Sequence, residues 1–134
     1  MKIPPIDLLN AAKAALPHSY SPYSHFAVAA SVRAEDGSIF SGCNVENAAF
    51  PVSMCAEVGA ITALFSHGHH KITEALVLVA DHKICSPCGA CRQRFLEHAL
   101  PEAIIHLCTV DGNYEQITVS QLLPLAFGPT NLGK

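Results

Sequence analysis

The chain has 134 residues, of which 50% are apolar and 14% are charged. This length predicts a single domain over residues 1–134, and the composition excludes a disordered chain because the apolar residues can form a buried core. The formal net charge of −3 and the pI of about 6.2 argue against a nucleic-acid partner, which requires a basic surface. We therefore expect a small-molecule substrate.

The sequence predicts neither a membrane span nor a secretion signal. Its longest apolar run, residues 75–80, is far too short to cross a bilayer. The opening stretch "MKIPPIDLLNAA" has two prolines and no apolar segment of signal-peptide length. A cytoplasmic location is expected, where thiols stay reduced. The six cysteines are then ligands, catalytic groups or small buried side chains and not a disulfide framework.

The first third of the chain predicts a helix followed by a hairpin. Residues 6–16 form the helix, because Pro4-Pro5 precede it and Pro17 ends it. The apolar residues alternate in "FAVAASVR", residues 26–33, and the turn "EDG" leads into "SIFSGC", residues 38–43. Such a pattern is typical of two antiparallel strands.

A second helix and a buried strand are predicted next. The stretch "CAEVGAITALFSHG", residues 55–68, has a helical pattern, with Ser53 as its expected cap and Gly68 as its end. The run "EALVLVAD", residues 74–81, is continuously apolar in its middle. A run of this kind is typical of a strand that is buried on both faces.

The last third predicts a helix, two strands and a short terminal helix. The helix is "CGACRQRFLEHA", residues 88–99, and the strands are residues 103–110 and 114–119 on either side of "DGN". The terminal helix covers residues 120–127, with Ser120 as its cap. The order α-β-β-α-β-α-β-β-α predicts an α/β fold with a mixed sheet and helices on both of its faces.

The stretch "SPCGACRQRF" holds Cys88 and Cys91 at the start of a predicted helix. Positions i and i+3 share a helix face, and the free N–H groups of a helix start favour thiolates. One interpretation is a thioredoxin-like dithiol. It leaves unexplained Cys55, a third cysteine at the start of another predicted helix.

A metal site accounts for all three thiols. Zinc with three protein ligands and one open position is the catalytic pattern, whereas a fourth ligand, for which Cys85 is available, would make the site structural. Glu57, two residues after Cys55, favours the catalytic site because a carboxylate beside an open zinc position can move protons. A ligand followed two residues later by Glu, and then by P-C-x-x-C, is the pattern of zinc-dependent nucleobase deaminases.

With these motifs the sequence resembles the small, homo-oligomeric cytidine deaminases. The resemblance extends over roughly residues 18–132 and includes "YSPYSHFAV", "GCNVENAAF", "CAE", "PCGACRQ" and "LLPLAFGP" in the expected order. It implies a three-layer α/β/α sandwich with a central mixed five-stranded sheet. It also implies a homotetramer, one Zn²⁺ per subunit and a place in pyrimidine salvage.

The resemblance assigns the site residues. Cys55, Cys88 and Cys91 would bind zinc, and Glu57 would be the catalytic proton carrier. The substrate-binding residues would be Asn44 and Glu46 for the ribose, Phe26 and the backbone N–H of Ala56 for the base, and Phe127 in the active site of a neighbouring subunit.

The implied reaction is hydrolytic deamination of cytidine and deoxycytidine to uridine and deoxyuridine, with release of ammonia. Three alternatives use the same thiols: a thiol-disulfide oxidoreductase, a structural zinc module, and a deaminase of a nucleoside antibiotic such as blasticidin S. The stretches "NVEN" and "AFGP" favour the ordinary nucleoside.

Two positions depart from the family pattern. Many relatives with three cysteine ligands have arginine directly after the Glu, where this chain has Val58, and many have glycine where it has Ala29. The first departure removes a cation from the side of the thiolates. We expect helix amides, and Arg92, to balance their charge instead.

Overall fold

The computed structural model describes residues 2–134, which form helices on both faces of one sheet. The helices are α1 (Ile6–Ala15), α2 (Ala56–Ser66), α3 (Gly89–His98) and α4 (Val119–Leu122). The strands are β1 (Val28–Ala34), β2 (Ile39–Cys43), β3 (Ile72–Val79), β4 (Ala99–Thr109) and β5 (Tyr114–Thr118). Among the described residues, no helix combines the length and the apolar character that a bilayer span requires.

The sheet is mixed and five-stranded, with the strand order β2-β1-β3-β4-β5. Strands β3 and β4 are parallel, and every other neighbouring pair is antiparallel. The β1–β2 hairpin turns at Gly37, whose φ of 91° lies in the left-handed region that suits glycine. A parallel pair requires a crossover, which α3 provides between β3 and β4.

The three layers follow from which residues each face of the sheet buries. Helix α1 covers one face, where Leu8 and Ala12 pack with Leu76, Leu78 and Cys108. Helices α2, α3 and α4 cover the opposite face and enclose the larger core, whose centre includes the fully buried side chain of Phe95. The α/β/α sandwich is therefore confirmed.

Two predicted helix caps are wrong. The cap of α2 is Cys55, while Ser53 lies further upstream, where its Oγ accepts a hydrogen bond from the backbone N–H of Asn47. The cap of α4 is Thr118, which forms a capping box with Gln121, so Ser120 is inside the helix. Helix α4 has four residues, and the chain then continues to a 3₁₀ turn at Pro129–Leu132.

Strand β4 begins at Ala99, earlier than the predicted residue 103. Residues 100–102, which lie between the predicted helix and the predicted strand, belong to an irregular section of the β3–β4 ladder. In that section the register moves from the Ile72–Ala99 pair to the Glu74–Ile104 pair. Proline is tolerated there because an irregularity does not need its missing N–H group.

Candidate active site

A cleft of about 350 Å³ opens where the starts of α2 and α3 meet the chain that leads into β1. This is the size of a pocket for a small molecule. The residues predicted for the site that line it are Phe26, Asn44, Glu46, Cys55, Ala56, Glu57 and Cys88. The sheet contributes an apolar part of the lining, formed by Val28, Val77 and Val79.

Three thiol groups meet at this cleft. The sulfur atoms of Cys55, Cys88 and Cys91 all lie within 4.8 Å of one another, and those of Cys55 and Cys88 are 3.9 Å apart. Tetrahedral zinc with Zn–S bonds of about 2.3 Å holds its sulfur atoms roughly 3.8 Å apart. The three thiols therefore fit one Zn²⁺ ion.

Two helix starts bring these thiols together. Cys55 is the N-cap of α2 and Cys88 is the N-cap of α3. Cys91 lies one turn into α3 and is fully buried. Unpaired N–H groups at both helix starts give the site a positive potential, which favours thiolates.

The surroundings of the thiols act on their ionisation in different directions. Burial raises the pKa of Cys91 well above its usual range, and burial with the neighbouring thiol of Cys88 also raises the pKa of Cys55. Burial opposes ionisation of Cys88 too, but the backbone N–H groups of Cys91 and Ala90 help to hold its pKa below the usual value. Thiols of this kind give up their protons when a metal cation binds between them.

Glu57 is the buried carboxyl group of the cleft. It lies in the first turn of α2, two residues after Cys55, with only 4% of its surface exposed. Burial raises the pKa of Glu57, and the nearby positive charge of Arg94 only partly offsets this effect. A carboxyl group with a raised pKa can both accept and return a proton near neutral pH.

Glu46 and Asn44 form a polar part of the cleft lining, with side-chain oxygen atoms in place of sulfur. Glu46 accepts hydrogen bonds from the backbone N–H groups of Tyr23 (3.0 Å) and Ser24 (3.1 Å), and from the Ser24 hydroxyl. The Ser24 hydroxyl, helped by these amides, lowers the pKa of Glu46. The residue therefore presents a carboxylate to the cleft.

The two aromatic residues predicted for the site have different positions. Phe26 is half-buried and lines the cleft, directly after His25, whose backbone φ of 56° turns the chain. Phe127 is 59% exposed and is not among the residues that line the cleft of its own chain. Its carbonyl oxygen accepts a hydrogen bond of 2.9 Å from Gln93.

Cys85 lies on the cleft wall but is not one of the three converging thiols. Within the described residues, no other group of three histidine, cysteine or carboxylate side chains is arranged to hold a metal ion. The set of three thiols with a neighbouring carboxyl group is the arrangement of a catalytic zinc site and not of a four-ligand structural one.

The sequence predicted that Arg92 balances the thiolate charge, but its hydrogen bonds go to oxygen atoms, and the sequence analysis missed a contact of Arg94. Arg92 supports the loop before α3 by donating to the Pro87 carbonyl (2.8 Å) and the Ser86 hydroxyl (2.6 Å). Arg94 donates to the sulfur of Cys91 at 3.4 Å. The three-residue spacing of Cys91 and Arg94 on a helix was the signal that could have revealed this contact.

Comparison with known proteins identifies the family. Residues 5–107 match the family model described as the cytidine and deoxycytidylate deaminase zinc-binding region. The cytidine deaminase of Sporosarcina psychrophila is 41% identical over 126 residues, which are 93% of this chain and 92% of that protein. A cytidine deaminase of Mycobacterium tuberculosis is 40% identical over 124 residues, 92% of this chain and 88% of that protein.

Solved structures agree with the sequence matches. The crystal structure of cytidine deaminase from Burkholderia pseudomallei superposes with a TM-score of 0.87 at 36% identity, covering 93% of this chain and 100% of that one. The structure from Mycobacterium tuberculosis gives a TM-score of 0.80 at 34% identity, covering 92% and 96%. The chain belongs to the cytidine and deoxycytidylate deaminase family, and its cofactor is one Zn²⁺ ion.

Proposed function

We propose that the protein is a cytidine deaminase, which hydrolyses cytidine and deoxycytidine to uridine and deoxyuridine and releases ammonia. The observation that carries this proposal is the meeting of three thiols and one buried carboxyl group, Glu57, in a cleft of nucleoside size. We further propose that residues 1–134 form one catalytic domain, that it works in the cytoplasm in pyrimidine salvage, and that it assembles as a homotetramer.

Cys55, Cys88 and Cys91 would hold the zinc ion. When bound, Zn²⁺ supplies Lewis-acid chemistry that makes a water molecule acidic enough to attack near neutral pH. The helix amides around the thiols stabilise their negative charge. The carboxyl group of Glu57 lies on the same helix start as Cys55.

Glu57 would carry the protons of the reaction. It takes a proton from the attacking water and delivers it to the ring nitrogen beside the carbon that carries the amino group. After the oxygen has bonded to that carbon, Glu57 passes the second proton of the water to the departing amine. The carbon–nitrogen bond then breaks, and ammonia and the uridine product leave.

The remaining residues would orient the nucleoside. The backbone N–H of Ala56, at the first position of α2, donates to the base carbonyl, and Phe26 packs on the pyrimidine ring. The loop of residues 85–88, which Arg92 holds through the Pro87 carbonyl, would present a backbone carbonyl to the amino group. Phe127 would come from a neighbouring subunit.

The charge of the cleft supports a nucleoside over a nucleotide. Its ionisable lining consists of Glu46, Glu57 and cysteine thiols, and no lysine, arginine or histidine is among its lining residues in the described part of the chain. A 5′-phosphate in this cleft would be repelled by the carboxylate of Glu46, and none of the described lining residues is a base that could pair with it. The ribose hydroxyls of a nucleoside can instead donate to that carboxylate.

The test is a deamination assay by ultraviolet absorbance, with zinc measured on the same sample. We expect one zinc ion per chain, turnover of cytidine and deoxycytidine, and little or no turnover of deoxycytidylate. Glu57→Gln should keep zinc and fold but lose activity by about ten-thousandfold, since general acid–base catalysis is worth about a hundred- to ten-thousandfold and this residue makes more than one transfer.

Glu97→Gln, which alters an exposed carboxylate on α3, is the matched control and should keep full activity. A Glu57→Gln protein with near-normal turnover would refute the deaminase mechanism. Retained zinc in a Cys88→Ala protein would remove Cys88 from the ligand set.

A further inference from the structure

The zinc site of this chain has an unbalanced charge. Three thiolates on a divalent cation leave a formal charge of −1, which weakens the cation as a Lewis acid. The residue directly after Glu57 is the apolar Val58, so this position of α2 brings no cation to the thiolates. Another group must supply the positive charge if the site is to be balanced.

Arg94 is positioned to supply it. Its Nη1 atom donates to the sulfur of Cys91 at 3.4 Å, across one turn of α3. Cys91 is fully buried and Arg94 is half-buried, so the contact is partly shielded from water and salt. A cation that donates to a buried thiolate stabilises it more strongly than an exposed one could.

The other two arginines are engaged elsewhere. Arg92 directs its donors to oxygen atoms of Ser86, Pro87 and Leu122. Arg33, on β1, forms ion pairs with Asp7 on α1 and Glu74 on β3. Within residues 2–134, Arg94 is the basic side chain that makes a hydrogen bond to a sulfur of the cluster.

We propose that Arg94, which donates to the sulfur of Cys91 from the same helix, is the charge-balancing residue of the metal centre. It is a positioning residue, because it acts through the thiolate of Cys91 and does not touch the substrate. With Val58 on α2 and Arg94 on α3, one guanidinium lies beside the thiolates. This inference rests on the proposed zinc site.

The experiment compares Arg94→Gln, which removes the charge, with Arg94→Lys, which keeps it. Zinc affinity is measured on metal-free protein by competition with a chelating dye at fixed pH. The sulfur-to-cobalt charge-transfer band is measured on Co²⁺-substituted protein. Lys83→Gln is the control, since it removes one exposed positive charge near the site without touching a sulfur.

We expect Arg94→Gln to lose zinc affinity by about ten- to a hundredfold, the usual effect of removing a group that supports a metal ligand. Its charge-transfer band should move to longer wavelength, because a thiolate without a nearby cation is easier to oxidise. The zinc affinity of Arg94→Lys should stay within a few-fold of that of the wild type. The zinc affinity of Lys83→Gln should equal that of the wild type. Recovery of zinc affinity in the double variant Val58→Arg/Arg94→Gln would support the inference, because a cation on α2 would then replace the one on α3.

A folded Arg94→Gln protein with the zinc affinity and cobalt spectrum of the wild type would overturn the inference. So would a folded Arg94→Lys protein that loses as much as Arg94→Gln, because its charge is intact. If Arg94→Gln does not fold, Arg94→Met, which keeps an unbranched apolar stem without the charge, is measured in its place, and wild-type affinity and spectrum in that protein would equally overturn the inference. A wild-type protein without zinc or cytidine turnover would instead refute the proposed function itself.

Discussion

Asn44 serves the cleft mainly as a support. Its Oδ1 atom accepts hydrogen bonds from the Val28 N–H (2.9 Å) and the Ser19 hydroxyl (2.5 Å), and its Nδ2 atom donates to the Phe26 carbonyl (2.8 Å). One N–H of the amide is then left for a ligand. In the proposed complex Asn44 would therefore donate to a ribose oxygen while it fixes the chain that carries Phe26.

Glu46 also supports a loop and is proposed to bind the ribose, and a substitution can separate these two roles. Glu46→Gln removes the charge but keeps an oxygen for the Tyr23 and Ser24 amides. We expect kcat/KM for cytidine to fall about ten- to a hundredfold, as for loss of a charged hydrogen bond of roughly 1.5–3 kcal/mol, while kcat/KM for free cytosine falls much less.

Ser24→Ala is the control for the loop, because it removes the hydroxyl contact with Glu46 and leaves the carboxylate. It should affect cytidine and cytosine alike. Equal losses on both substrates in Glu46→Gln would show that the residue shapes the loop and does not hold the sugar.

The arrangement of the thiols was predictable because the chemistry restricts the residue types. A zinc site with sulfur ligands needs cysteines, and the order of Cys55, Glu57 and the Cys88–Cys91 pair matches the pattern of zinc-dependent deaminases. The sequence analysis assigned the charge balance to Arg92, the immediate neighbour of Cys91 in sequence, and not to Arg94. On a helix the neighbour in space is three residues away.

At the scale of elements, the site depends on a close approach of β2 and α2. The Cα atom of Gly42 lies 3.3 Å from the position that a Cβ on Gly59 would occupy. A Cβ on Gly42 would lie only 2.7 Å from the Ala56 carbonyl oxygen and from the Ala60 nitrogen. These are backbone atoms, which cannot rotate away, so α2 would have to move as a whole.

We expect Gly42→Ala to destabilise the protein and weaken the site together. Overpacking commonly costs about 1–3 kcal/mol, which lowers the Tm of a domain of this size by roughly 3–5 °C per kcal/mol. Because Cys55 caps α2, the shift should also reduce zinc affinity. Calorimetry and dye competition measure the two effects.

Gly128→Ala is the matched control, since a Cβ there meets only a flexible leucine side chain at 3.4 Å. It should leave Tm and zinc affinity unchanged. A Gly42→Ala protein with wild-type stability would mean that α2 tolerates the displacement.

The sequence predicted the elements correctly where the apolar pattern was strong, as in β3. It predicted the helix caps wrongly where two nearby hydroxyl groups could serve. Ser53 has the right residue type for a cap, but its hydroxyl accepts a hydrogen bond from the Asn47 N–H, and the helix begins three residues later, at Ala56. Likewise Thr118, and not Ser120, has Gln121 at the third helical position for a capping box. Pattern alone does not show which of two nearby hydroxyls a turn will use.

The whole molecule leaves an apolar rim around the cleft. Phe50, Val52 and Met54 are each more than half exposed, and Tyr23 packs edge-on against Phe50 with ring centroids 5.9 Å apart. A second hollow of about 340 Å³ beside these rings shares Ser24 and Glu46 with the main cleft. Large exposed apolar side chains beside a binding site are typical of a surface that another subunit covers, which supports the proposed tetramer.

If Phe127 completes the site of a neighbouring subunit, two inactive proteins should restore each other. Glu57→Gln lacks the proton carrier and Phe127→Ala lacks the aromatic ring, so each alone should have little activity. After random subunit exchange at equal amounts, about one site in four combines an intact Glu57 with an intact Phe127 from a neighbour. We therefore expect up to about a quarter of the wild-type rate per site, measured against each variant taken through the same exchange alone. No recovery in samples whose mixed oligomers are verified by native mass spectrometry would mean that Phe127 acts within its own chain.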